Sequence, residues 1–273
     1  MDNPIDPNTT PTAQHITCEI DERGVATVTL NRPEVHNAFD DILIADLTRV
    51  FTQLGNNQTV RAVILAATGK SFCAGADLNW MKRMASYSYE QNLNDANNLA
   101  KMLYTLNTLP KPTIARVQGA AFGGAVGLVA CCDMAVGSKL SKFCLSEVKL
   151  GLIPATISPY VIQAIGERNA RRYFTTAEVF SSRRARRIGL LSEAVTEEEL
   201  DVTIEGLLEH ILKNGPCAVS AAKKLVFDVA NRIPDEALRH TTSELIANTR
   251  VSAEGQEGLS AFLQKRRPNW YLS

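Results

Sequence analysis

Two turns built from small residues and one isolated glutamate are where this chain could do chemistry. Residues 69–78 read GKSFCAGADL and residues 118–125 read QGAAFGGA, each after an apolar run with strand character. Glycine and alanine at the start of a helix leave backbone N–H groups unhindered and pointing outward, which suits an anion or an oxyanion that develops during a reaction. Two such turns side by side could form one hole, although close packing of strand on helix also favours small residues. Neither turn matches G-x-x-x-x-G-K-[ST], and residues 119–124 read G-x-x-x-G-G, so a nucleotide-binding loop is not expected. Glu147 follows Phe143-Cys144-Leu145 and precedes Leu150-Gly151-Leu152-Ile153-Pro154. A carboxylate in such apolar company is partly desolvated, which raises its pKa and fits it for general acid or base work near neutral pH. The alternative is a surface carboxylate paired with Lys142 or Lys149.

Other chemistries find little support. The histidines His15, His36, His210 and His240 have no metal-ligand spacing, and no serine sits in a nucleophile elbow. The six cysteines include no C-x-x-C pair, and no secretory signal precedes them, so reduced, mostly buried thiols in a cytoplasmic protein are expected. The 29 basic and 29 acidic residues cancel, which argues against a dedicated nucleic-acid or membrane-surface protein. Arg183-Arg184-Ala185-Arg186-Arg187 is the one run that would suit RNA or phosphate, but it covers more than one side of a helix, as a solvated face does. No apolar stretch reaches the roughly 18–20 residues that cross a bilayer.

The elements that must position these groups alternate along 273 residues. Residues 1–14 hold three prolines and no basic residue, and read as a flexible leader. Residues 25–30, 61–66 and 113–117 are rich in β-branched or small apolar residues and predict strands. Asp40 offers an N-cap to a helix whose Leu43, Leu47, Val50 and Leu54 share one face, and another helix is expected over about 90–106. Repeated strand, strand and helix units predict an α/β core with parallel strands over residues 15–195. From 196 to 273 the pattern is helical only (197–214, 216–232, 235–249 and 256–264), and a tail with no sheet of its own must pack on the core or on a neighbouring subunit.

Residues 30–33 (LNRP), 36–38 (HNA), 72–78 (FCAGADL), 119–133 and 147–154, in unbroken order, resemble the crotonase (enoyl-CoA hydratase/isomerase) superfamily. The stretches GADLNWM, KPTIARVQGAAFGGAVGLVACCD and SKFCLSEVKLGLIPATISPYV are similar to bacterial methylglutaconyl-CoA hydratases of leucine breakdown. The resemblance implies a crotonase-like spiral of ββα repeats with a helical C-terminal trimerisation region, assembled as a homotrimer or homohexamer. It implies an acyl-CoA thioester substrate and no separate cofactor, CoA being part of the substrate. It places the thioester oxygen on the amides of Ala76 and Gly124, the pantetheine along Asp77, Leu78 and Asn79, the catalytic proton on Glu147, and the adenine end against Phe262 and Lys265. The departure is Gly127, where two-glutamate hydratases carry their first glutamate. Water must then be held by Glu147 alone, by another polar group, or by a carboxylate at the far end of the substrate. A double-bond shift catalysed by one carboxylate, hydration of isohexenylglutaconyl-CoA, and an RNA-binding relative are the alternatives.

Overall fold

The computed structural model describes residues 15–271, so the leader expected over residues 1–14 lies outside the described residues. In chain order the elements are β1 (Ile16–Ile20), β2 (Val25–Leu30), α1 (Asp41–Asn56), β3 (Ala62–Ala67), β4 (Ser71–Cys73), α2 (Leu78–Met84), α3 (Tyr89–Asn107), β5 (Thr113–Val117), β6 (Ala120–Phe122) and α4 (Gly124–Cys131). They continue through β7 (Met134–Ser138), β8 (Lys142–Cys144), α5 (Ser158–Ile165), α6 (Glu167–Thr176), β9 (Phe180–Ser181), α7 (Ser182–Ile188) and β10 (Glu193–Val195) to α8 (Leu200–Leu212), α9 (Pro216–Val229), α10 (Glu236–Val251) and α11 (Ala253–Leu263).

The strands divide between two sheets. One has six strands in the order β1-β2-β3-β5-β7-β10, all parallel except for the β1–β2 hairpin. The other has four, β4-β6-β8-β9, of which the first three are parallel. Each repeat sends a strand into the larger sheet, a short strand into the smaller one, and then a helix: β3–β4–α2, β5–β6–α4 and β7–β8–α5. This is the spiral of ββα repeats expected from the sequence. Because β4, β6 and β8 run in parallel, the three segments that leave their C-terminal ends emerge together. Those segments are residues 74–77, Gly123 with Gly124, and residues 145–147.

Helices form where apolar periodicity and caps agree. Asp40 caps α1 by accepting from the Leu43 amide at 2.7 Å, and Leu43, Leu47, Val50 and Leu54 are buried on one face. α4 is apolar all round and sits in the core with Ala125, Val126, Leu128 and Val129 buried, as a helix with no polar face must. α8 closes a second apolar cluster on the larger sheet, where Leu200, Ile204 and Leu208 pack with Val25, Ala62, Ile114 and Val136. α9 is tied to the core by Lys223, whose ammonium lies 2.7 Å from Asp133. α10 and α11 bury little beyond Leu238 and Ala261, and leave Ile233, Val251, Phe262 and Leu263 at least 75% exposed. Among the described residues no helix is long and apolar enough to cross a membrane. The six cysteines are free, and burial pushes the Cys73 and Cys132 thiols up to about 12.

Candidate active site

The first turn is held by residues distant in sequence. Phe39 forms an isolated parallel bridge with Ala76: the Phe39 amide donates to Gly75 O and the Asp77 amide to Phe39 O, both at 2.7 Å. In that pattern Ala76 directs its own N–H away from Phe39, and among the described residues this amide donates no hydrogen bond. Asn37, fully buried, anchors the same segment by donating from Nδ2 to Thr68 O and Ser71 O at 2.8 and 3.0 Å. Gln118 adds three bonds from Nε2, to the carbonyls of Ala67, Gly69 and Ser71. Arg32 lies 2.8 Å from Asp40 and 3.4 Å from Asp77, clamping both carboxylates.

The second turn stands beside the first. Gly75 has φ +100°, and a Cβ there would lie 3.2 Å from the Phe122 carbonyl. Gly123, with φ +54° and ψ −127°, turns the chain out of β6, and its amide donates to Cys144 O at 2.8 Å. Gly124 is the first residue of α4, so its N–H has no partner within the helix, and none is found elsewhere among the described residues. A Cβ on Gly124 would lie 3.3 Å from the Phe39 ring. Phe39 therefore joins both turns, pairing with Ala76 through its backbone and packing on Gly124 through its side chain. Ala76 is exposed and Gly124 half-buried.

Glu147 opens a 3-10 turn, Glu147–Leu150, just after β8, and is half-buried. A Cβ on Gly123 would lie 3.4 Å from its Oε1, which puts the carboxylate against the residue preceding the Gly124 amide. The other oxygen, Oε2, is buried without a hydrogen-bond partner. Burial pushes the Glu147 carboxyl above the usual glutamate range, partly offset by a hydrogen bond from its own backbone. Neither Lys142 nor Lys149 pairs with it among the described residues.

Gly127 lies one helical turn beyond Gly124, and it is more than a missing carboxylate. A Cβ at this position would come within 2.3 Å of Ile157 Cγ2 and 2.8 Å of Ile157 Cβ, with Leu103 Cδ2 at 3.5 Å. Ile157, 1% exposed, occupies the space that a longer side chain would need. The site thus has one carboxylate and an apolar plug.

The other sequence candidates divide. Leu78 and Asn79 are exposed at the start of α2, beside Ala76. Asp77 is 6% exposed, and its carboxylate caps α2 by accepting from the Asn79 and Trp80 amides at 2.8 and 3.2 Å. Its side chain holds the turn, and Asp77→Ala is expected to lower stability by about 1–2 kcal/mol in chemical denaturation, with Asp77→Asn losing less. Phe262 and Lys265 are not brought to the cluster within this chain, since α11 packs mainly on α10 and α9. In the basic run, Arg184 bonds Tyr173 and Asn169, and Arg186 bonds Glu193. Among the described residues no group of three or more His, Cys, Asp or Glu could hold a metal ion. Phe39 and Asn37 are the positioning residues that spacing alone did not reveal. Asn37, with φ +55°, enters the sequence reading only within the HNA motif, and Phe39 gives no signal there.

The model of the enoyl-CoA hydratase/isomerase family matches residues 21–272. The chain belongs to this family, within the crotonase superfamily. A short-chain-enoyl-CoA hydratase of Clostridium acetobutylicum is 32% identical, over 90% of this chain and 94% of that protein. Among solved structures, an enoyl-CoA hydratase from Shewanella pealeana is 45% identical with a TM-score of 0.91, covering 94% of this chain and 96% of its own. Pseudomonas aeruginosa AtuE is 32% identical with a TM-score of 0.90, covering 95% of this chain and all 100% of its own. An acyl-CoA thioester substrate is consistent with this family.

Proposed function

We propose that this family member is a hydro-lyase that adds water to a branched α,β-unsaturated acyl-CoA thioester, with methylglutaconyl-CoA as its substrate. The observation that carries the reading is that two unpartnered amides, Ala76 and Gly124, and a desolvated carboxylate, Glu147, stand at the ends of three adjacent parallel strands. As water adds to the β-carbon, charge moves onto the thioester oxygen, where each well-placed amide donor stabilises the transition state by roughly 2.7–4 kcal/mol. Glu147 takes a proton from water and returns one to the α-carbon, worth about 10²–10⁴ in rate. Backbone donors resist side-chain changes, so Gly124→Pro, which removes the N–H donor itself, is expected to lose more turnover than Ala76→Ser.

The narrower substrate rests on the similarity of residues 75–81, 111–133 and 141–161 to methylglutaconyl-CoA hydratases. Incubating a panel of enoyl-CoA thioesters, including methylglutaconyl-CoA, isohexenylglutaconyl-CoA and a linear crotonyl thioester, in deuterated water tests it. A hydroxyacyl-CoA formed fastest from methylglutaconyl-CoA is the expected product. The single carboxylate favours one second reading, isomerisation, which would yield a shifted double bond and no hydroxyl. Since Glu147 must be ionised to accept the proton from water, kcat/KM is expected to fall as pH drops through a value above the ordinary glutamate pKa. A pH–rate profile whose acid limb lies at or below that value contradicts the assignment.

The apolar side chains left exposed on and beside α10 and α11 support assembly with further copies of the chain. A sedimentation mass of one chain at micromolar concentration would oppose that reading.

A further inference from the structure

We propose that the Ser146 hydroxyl is the second holder of the reacting water, doing beside Glu147 what a second carboxylate on α4 would do if Ile157 did not fill that place. The inference rests on the hydratase reading above.

Ser146 is the N-cap residue of the turn that carries Glu147, yet its side chain caps nothing, and among the described residues its hydroxyl has no hydrogen-bond partner. Its carbonyl accepts from the Lys149 amide at 3.1 Å, which anchors the backbone that carries the hydroxyl. The hydroxyl and the carboxylate lie near a common point: a Cβ on Gly123 would be 3.8 Å from Ser146 Oγ and 3.4 Å from Glu147 Oε1. The next residue is Gly124, whose amide opens α4. Ser146 Oγ and Glu147 Oε1 thus lie side by side in a half-buried site, where a third polar molecule can hydrogen-bond to both. Water is the reactant that fits, because an ordered water needs two to four polar partners and these supply two acceptors.

The arrangement also orients that water. Donating one O–H to Glu147 and the other to Ser146 Oγ leaves an oxygen lone pair for the β-carbon. As the C–O bond forms, the O–H bond to the glutamate side breaks and its proton passes to Glu147. The π electrons of the double bond move into the enolate, with charge on the thioester oxygen. Glu147 then gives its proton to the α-carbon, and the carboxylate is restored. One water is added, nothing is oxidised or reduced, and Ser146 ends unchanged. A proton transfer at the α-carbon that involves no water needs Glu147 alone, so Ser146 should separate the two activities.

The test compares Ser146→Ala, Ser146→Gly and Ser146→Thr with the wild-type protein in two assays. One is hydration of the enoyl-CoA thioester that the wild type turns over best. The other is exchange of the α-proton of the matching saturated acyl-CoA into deuterated water. Removing the hydroxyl is expected to lower the hydration kcat by roughly 10–100-fold with KM within about threefold, while exchange stays within about twofold of wild type. Threonine, which keeps the hydroxyl, should restore most of the hydration rate, and retained exchange shows that the variants are folded. Wild-type hydration in Ser146→Ala and Ser146→Gly overturns the proposal and leaves the hydratase reading standing. So does a parallel fall of hydration and exchange that threonine does not rescue. The proposal is equally overturned if those variants hydrate normally but a substrate lacking its distal carboxylate is not turned over, since the substrate would then hold its own water. A wild-type protein that exchanges the proton but hydrates nothing overturns the hydratase reading and this proposal together.

Discussion

Glu147→Gln is expected to lower kcat for water addition by roughly 10²–10⁴ while leaving thioester binding nearly unchanged, because the amide keeps the shape of the side chain and removes only its proton chemistry. The same substitution should stabilise the fold at neutral pH. The native state raises the Glu147 pKa by burial, so the folded protein binds this proton more tightly than the unfolded chain does. That contribution favours folding fully below the unfolded glutamate pKa, near about 4.3, and is lost as pH rises through the higher folded value. Glutamine carries no such penalty. Urea denaturation should therefore show the variant more stable than wild type at pH 7, with the gap closing as pH falls below about 4. A variant that keeps its turnover would remove Glu147 from the chemistry. One that gains no stability at pH 7 would contradict the desolvated setting of its carboxyl.

Gly127→Glu is expected to cost about 3 kcal/mol or more in stability, instead of adding a second acid to the site. The added Cβ would meet Ile157 Cγ2 at 2.3 Å, so the core is overpacked, and the carboxylate is placed in an apolar interior with no cation beside it. Ile157→Gly alone should destabilise by about 2–5 kcal/mol through the cavity it leaves. Combined, the two changes relieve each other, and the double variant should be more stable than the sum of the single losses by roughly 0.5–3 kcal/mol. A double-mutant cycle in urea checks this. Gly127→Glu with stability within about 0.5 kcal/mol of wild type would mean that Ile157 does not block the position.

Much of this was legible in the sequence, and the exceptions have physical causes. Long elements with clear period or caps were readable: residues 25–30 and 113–117 form strands with those limits, and Asp40 caps α1. The strands of the smaller sheet were not, since β4, β6 and β8 have three residues each and no period can develop over that length. Yet those short parallel strands are what bring both glycine-bearing turns and Glu147 to one edge. The absence of an acid at Gly127 was visible in the chain, but its plug was not, because Ile157 lies 30 positions away and meets Gly127 only through the packing of α5 on α4. Asp77 stood out only as part of the stretch expected along the pantetheine, and the cap its carboxylate gives α2 was not read from the sequence. Phe39, which joins the two turns, carries no chemical signature at all.

The central claim is that the Ala76 and Gly124 amides hold one thioester oxygen. The carbonyl stretch of a ¹³C-labelled enoyl-CoA bound to the protein, read by isotope-edited infrared difference spectroscopy, tests this most directly. Two amide donors on the oxygen weaken the C=O bond, so the band should move to lower frequency on binding, and Gly124→Pro should return most of that shift. A bound thioester whose carbonyl absorbs where the free one does would contradict the claim.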